Sequence, residues 1–113
     1  MTNIDVNAYQ KAVLRTAPIE DFSNEALMVN GLFGLCGESG ECADHLKKYL
    51  FQGHDLDKLK LAEELGDVAW YIVLTAHALG FNLSDILEMN IEKLKKRYPD
   101  GFDSERSINR EEK

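Results

Sequence analysis

GLFGLCGESGECAD (residues 31–44) and LAEELGDVAWYI (residues 61–72) decide how this chain is read. Each stretch sets two acids three residues apart, Glu38 with Glu41 and Glu64 with Asp67, among small or apolar neighbours. At that spacing two side chains share one face of a helix. Four carboxylates converging between two helices cannot all stay ionised without a cation, and oxygen donors alone select a hard divalent ion, Mg2+ or Mn2+.

On a helical wheel at about 100° per residue, Glu38, Glu41, His45 and Lys48 fall together on the first of these helices. Glu64, Asp67, Tyr71 and Leu74 do so on the second, beside an expected core stripe of Leu61, Leu65, Val68 and Ile72. The glycines at 31, 34, 37 and 40 each cost a helix interior roughly 1 kcal/mol relative to alanine. The close approach of another helix, or of a phosphate group, would account for them. His45, His54 and His77 do not form a metal set: there is no His-x-x-x-His, and no Glu-x-x-His of the kind a di-iron bundle needs.

Outward from these stretches the pattern is all-α. One helix is expected from Asp5 to Arg15, with Val6, Tyr9 and Val13 at helical spacing, ending before Pro18. The next starts at Ser23 or Asn24, either of which can cap it, and runs to Leu50. A third runs from Asp55 or Asp57 to Leu79, where Gly80 terminates it. Asn82 and Asp85 resemble a capping box for a fourth, which ends at Tyr98 before Pro99. Residues 1–101 thus form one domain, and residues 102–113 a polar tail expected to be an arm or partly disordered.

The fourth helix places Asn90, Lys93 and Arg97 on one stripe, beside an apolar stripe of Leu87, Ile91, Leu94 and Tyr98. A mobile ammonium, a planar guanidinium and a neutral amide are the mixture that phosphate recognition uses. The stretch VAWYIVLTAHALGF (residues 68–81) is apolar on nearly every side. Such a helix is buried all round, and the expectation is that a second copy of the chain covers it, with Val73 at the interface.

A net charge of −7 excludes a non-specific binder of nucleic acid polymers or anionic membranes, though not a small nucleotide. No apolar run is long enough to span a bilayer. The start, MTNIDVNAYQ, has neither the basic nor the apolar region of a secretory signal, so the expected location is cytoplasmic. Cys36 and Cys42, six apart on one helix, point in different directions, so no disulfide between them is expected, and in apolar helical surroundings each is expected to be a buried structural thiol and not a nucleophile.

Together, AYQKAVLRTA, GLCGESGECADHLKKYLFQG, LAEELGDVAWYI and NIEKLKKRYPDGF resemble the MazG-like nucleotide pyrophosphohydrolases, of the all-α NTP pyrophosphohydrolase superfamily. The resemblance implies a four-helix-bundle-type fold assembled as a homodimer or homotetramer. It also implies Mg2+-dependent cleavage of a nucleoside triphosphate between the α and β phosphates, giving monophosphate and pyrophosphate. Its metal motif falls on Glu38, Glu41, Glu64 and Asp67, and its nucleotide-holding stretch on Asn90, Lys93, Arg97 and Tyr98. Many members have a further acid where this chain has Gly37, and Glu63 points about 100° away from Glu64 as an outer acid. Glu38 is the candidate proton acceptor and Lys48 a further phosphate contact; Tyr9, Trp70, Tyr71 and Tyr98 are candidates for base and sugar contacts. Two alternatives remain: a phosphoribosyl-ATP pyrophosphohydrolase-like enzyme, which the RYPDGF ending disfavours, and a non-catalytic helical module stabilised by metal.

Overall fold

The computed structural model describes residues 3–110 as five helices and no strand. They are α1 (Val6–Leu14), α2 (Asn24–Phe51), α3 (Lys58–Leu79), α4 (Leu83–Arg97) and α5 (Ser104–Ile108). The chain divides into two compact units between Leu83 and Ser84. No helix among the described residues is long and apolar enough to cross a membrane.

Local chemistry fixes the helix ends. Asp5, Ser23 and Asp57 stand in extended conformation and accept from the backbone N–H of Ala8 at 2.8 Å, Ala26 at 3.1 Å and Lys60 at 3.0 Å. Each satisfies a donor that the first helical turn leaves open. At the other end of α3, Gly80 takes φ 86°, and the N–H groups of Gly80 and Phe81 reach back to the carbonyls of His77 and Ala76. That left-handed termination favours glycine.

In the first unit α3 is central, with α2 on one side and α1 on another. One core cluster joins Val13 of α1, Val73 of α3 and Leu83, flanked by Tyr9, Trp70 and Ile72. A second joins Leu27 of α2 to Leu74 and Ala78 of α3, with Ile19, Met28, Trp70 and Tyr71 around it. Val73 therefore does not await a second copy: α1 of the same chain buries it to 1% exposure. Leu79 and Phe81, at the end of the apolar stretch, remain 50% and 45% exposed. Cys36, expected to be a buried thiol, is exposed, and Cys42 is half-buried. Leu65, expected in the core stripe, is instead 58% exposed.

The approach of α2 to α3 explains two of the glycines. A Cβ at Gly31 would overlap the Thr75 hydroxyl, and one at Gly34 the Tyr71 ring. Gly37 and Gly40 have open space where a Cβ would stand. The loop between the helices is tied by His45, whose Nε2 accepts from the Asp57 backbone N–H at 3.2 Å. The Gln10 side chain clasps the start of α4, donating to Asn82 Oδ1 at 3.0 Å and accepting from the Leu83 N–H at 2.6 Å.

In the second unit, the stretch expected to be an arm is helical as far as Ile108; residues 111–113 lie outside the described residues. Asp103 caps α5 by accepting from the Glu105 N–H at 2.9 Å. The Arg106 guanidinium donates to the carbonyls of Arg97 at 2.8 Å and Lys96 at 3.3 Å. It thereby satisfies acceptors that the end of α4 leaves without helical partners.

Candidate metal centre

The packing of Gly31 on Thr75 and Gly34 on Tyr71 sets the antiparallel register of α2 against α3. One to two turns further along, the same register brings the acid pairs to a common level. Glu38, Glu41 and Glu64 each offer a carboxylate oxygen within 4.8 Å of the other two. Glu64 is only 9% exposed. Glu38 Oε2 is buried and has no hydrogen-bond partner among the described residues. An orphaned acceptor among carboxylates is costly to bury, and a divalent cation with oxygen ligands would satisfy it.

The electrostatics carry the same signature. The Glu64 carboxyl set against that of Glu38 favours a proton held between them, and this contact pushes Glu38 up to about 7. Burial and the charges of Glu41 and Asp67 act in the same direction. Glu64 moves below its ordinary range, held there first by the Glu38 hydrogen bond and then by Lys60. Like charges forced together raise one member of the pair, and a bound cation would replace the shared proton.

Asp67, one turn from Glu64, is exposed and stands outside the 4.8 Å group. Its charge still reaches the centre and contributes, after burial, to raising Tyr9. Lys48 is paired with Asp44 at 3.0 Å, and Lys47 joins the same carboxylate at 3.3 Å, which holds Asp44 below its ordinary range. Asn90, Lys93, Arg97 and Tyr98 lie on and just after α4 in the second unit. There Asn90 and Lys93 are exposed, Tyr98 packs its ring on Phe102 at 5.3 Å, and Arg97 lines a cavity of about 500 Å³ with Lys96, Arg106 and Arg110. Trp70 and Tyr71 serve the core rather than an open platform.

Sequence reasoning passed over Lys60, whose Nζ stands 3.4 Å from Glu64 Oε1. It is the one cation paired with the acid group among the described salt bridges. Its position four residues before Glu64 was the available signal. Asp44 is legible in the same way, four before Lys48.

Comparison with known proteins agrees with this geometry. The family model of the MazG nucleotide pyrophosphohydrolase domain matches residues 29–102. The chain is also similar to the Gene 37 protein of Mycobacterium phage L5, at 35% identity over 100 residues, covering 81% of this chain and 87% of that protein. No solved structure matches.

Proposed function

Because the chain belongs to the MazG nucleotide pyrophosphohydrolase domain family, we propose that it is a Mg2+-dependent nucleoside triphosphate pyrophosphohydrolase releasing nucleoside monophosphate and pyrophosphate. Membership supports a hydrolase at the coarse level. The observation that carries the finer reading is the group of three carboxylates within 4.8 Å, one of them with a buried, unpartnered oxygen.

Glu38, Glu41 and Glu64 would hold the cation, with Asp67 completing the set from the adjacent turn. Bound there, Mg2+ supplies charge neutralisation and Lewis acidity toward a phosphate chain. Glu38 is the candidate to accept the proton of the attacking water, through a carboxylate oxygen not engaged by the cation. Attack at phosphorus breaks the bond to the bridging oxygen, and pyrophosphate departs with its electrons. Lys48, Lys93 and Arg97 would stabilise the charge developing on the phosphate oxygens, with Asn90 and Tyr98 holding the nucleotide. The reading includes assembly as a homodimer or homotetramer with a four-helix-bundle-type core, and a cytoplasmic setting.

Incubating the protein with canonical and modified nucleoside triphosphates and Mg2+, and assaying pyrophosphate, tests the activity directly. Glu41→Gln and Asp67→Asn should lower Mg2+-dependent release by roughly a hundredfold or more, with helicity by circular dichroism unchanged. Near-normal turnover in either variant would remove that residue from the metal set. No pyrophosphate from any nucleotide would favour the non-catalytic alternative.

A further inference from the structure

Charge is spread unevenly along this chain. Residues 93–110 hold six Lys and Arg against three Asp and Glu, in a protein with 13 of the former and 20 of the latter. Three of the four arginines, Arg97, Arg106 and Arg110, line the cavity of about 500 Å³ at the end of α4, with Lys96 beside them. Every described residue that lines it is charged or an amide. Such a cavity offers nothing to an apolar ligand, and its size lies within the range of small-molecule sites.

The lining holds two acids against four cations, and one of the acids, Asp103, already accepts from the Glu105 N–H as the cap of α5. A surplus of cations around one concavity draws an anion. Arg106 is in place before any ligand arrives. Its Nε donates to the Arg97 carbonyl at 2.8 Å and its Nη2 to that of Lys96 at 3.3 Å. These contacts fix the guanidinium plane and take two of its five N–H donors, leaving three for a ligand. A planar fork already held in place loses little freedom on binding and matches two oxygens of a phosphate.

Helix-end chemistry explains only part of this cluster. Lys96 and Arg97 complement the dipole of α4, and Arg106 caps its carbonyls. Neither role accounts for Arg110, exposed beyond the end of α5 yet on the same cavity. Nor does family membership, because the matched domain ends at residue 102, before α5 begins. A single carboxylate would occupy one fork. Three guanidinium groups and an ammonium suit an anion whose charge is spread over two adjoining centres, which is a pyrophosphate group, free or at the end of a nucleotide.

We propose that the end of α4 and α5 together form a metal-independent site for a pyrophosphate group, with Arg106 as the fixed fork and Arg97, Arg110 and Lys96 supplying the surrounding charge. The choice of pyrophosphate among polyanions rests on the function proposed above; the anion site itself does not.

Titration calorimetry of the full chain with pyrophosphate, in EDTA and at low salt, should show one site per chain that weakens as salt is raised. Arg110→Gln should raise the dissociation constant by roughly tenfold or more, with circular dichroism unchanged. Arg106→Lys keeps the charge and removes the fork, and should weaken binding by a similar factor. Arg15→Gln, which alters the arginine outside the cavity, should leave the affinity as it is. Glu41→Gln should also retain binding, because no metal takes part. Citrate, whose charges sit on separated carboxylates, should bind at least about tenfold more weakly. A nucleoside triphosphate analogue with a methylene between the α and β phosphorus atoms identifies the source: displacement of pyrophosphate supports the site with a nucleotide as its ligand, and no displacement supports it with the free anion. Binding that requires Mg2+, an affinity indifferent to both Arg106→Lys and Arg110→Gln, or citrate held as tightly as pyrophosphate would each overturn the proposal. The hydrolysis assay is scored separately: lost turnover with metal-free binding intact counts against the enzyme, and turnover without metal-free binding counts against this site alone.

Discussion

Where Gly31 and Gly34 meet Thr75 and Tyr71, α2 and α3 come so close that no side chain could be added between them. One to two turns further toward the connecting loop, Glu38, Glu41 and Glu64 fill the space between the same two helices. The first level is apolar and flanked by α1 through Val13 and Val73. The second is acidic, with Lys60 in ion-pair contact with Glu64. One register produces both, so tight packing at one level positions the charges at the other. The apolar level contributes stability, and the acidic level draws on it.

That contrast can be broken first at its apolar side. Leu74 is fully buried at 0% exposure in the cluster with Leu27 and Ala78. Leu74→Ala should lower unfolding stability by about 2–5 kcal/mol in urea titrations, whether or not Mg2+ is present. A loss well below that range would mean that the two levels do not differ as described.

The acidic level should show its character through pH. Glu38 is raised from 4.5 to about 7 in the folded protein. Between those values the native state binds more protons than the unfolded chain, so stability falls as pH rises through the window and stays lower above it. Glu64 is lowered, and its contribution, present above its unfolded value, is lost only as pH falls through its folded value, in a more acidic window. Thermal midpoints of the metal-free protein should therefore decline from about pH 5 to about pH 8. Saturating Mg2+ or Glu38→Gln should flatten that decline. A metal-free midpoint that is level or rising across the same range would contradict the carboxylate arrangement.

A smaller effect sharpens the comparison at the edge of the apolar level. Gln10→Ala removes hydrogen bonds to Asn82 and to the Leu83 N–H. The expected cost is about 1 kcal/mol, with faster amide exchange at Leu83 and little change at the acids. A loss rivalling that of Leu74→Ala would show that the clasp, and not the apolar contact, holds α1 in place.

Much of this was legible because it is local. Asp5, Ser23, Asp57 and Gly80 act within a few residues of themselves, and the three-residue spacing of the acid pairs is a property of one helix. Periodicity also shows that the Val73 side of α3 must be covered, but it does not say by what. A short amphipathic α1 and a second copy of the chain leave the same mark on α3, and α1 proved to be the cover. Leu65 was misplaced because an apolar stripe gives no signal of where its covering helix ends. The order around α5 comes from Arg106 reaching the carbonyls of Lys96 and Arg97, a contact between residues about ten apart that no helical or strand period encodes.

The chain has a single tryptophan, and its placement makes it an optical probe of the fold. The Trp70 indole packs against both core clusters, donates through Nε1 to Thr16 Oγ1 at 2.9 Å, and stands edge-on to the Tyr71 ring at 5.0 Å. Undocking α1 would free the indole from that hydroxyl and admit water to it, shifting its emission to the red. Asp67 precedes Trp70 by one turn of α3 and Glu64 by about two, so the indole reports the docking of α1 and also senses the acidic level beside it. Far-UV circular dichroism recorded alongside a metal titration then separates loss of binding from loss of structure.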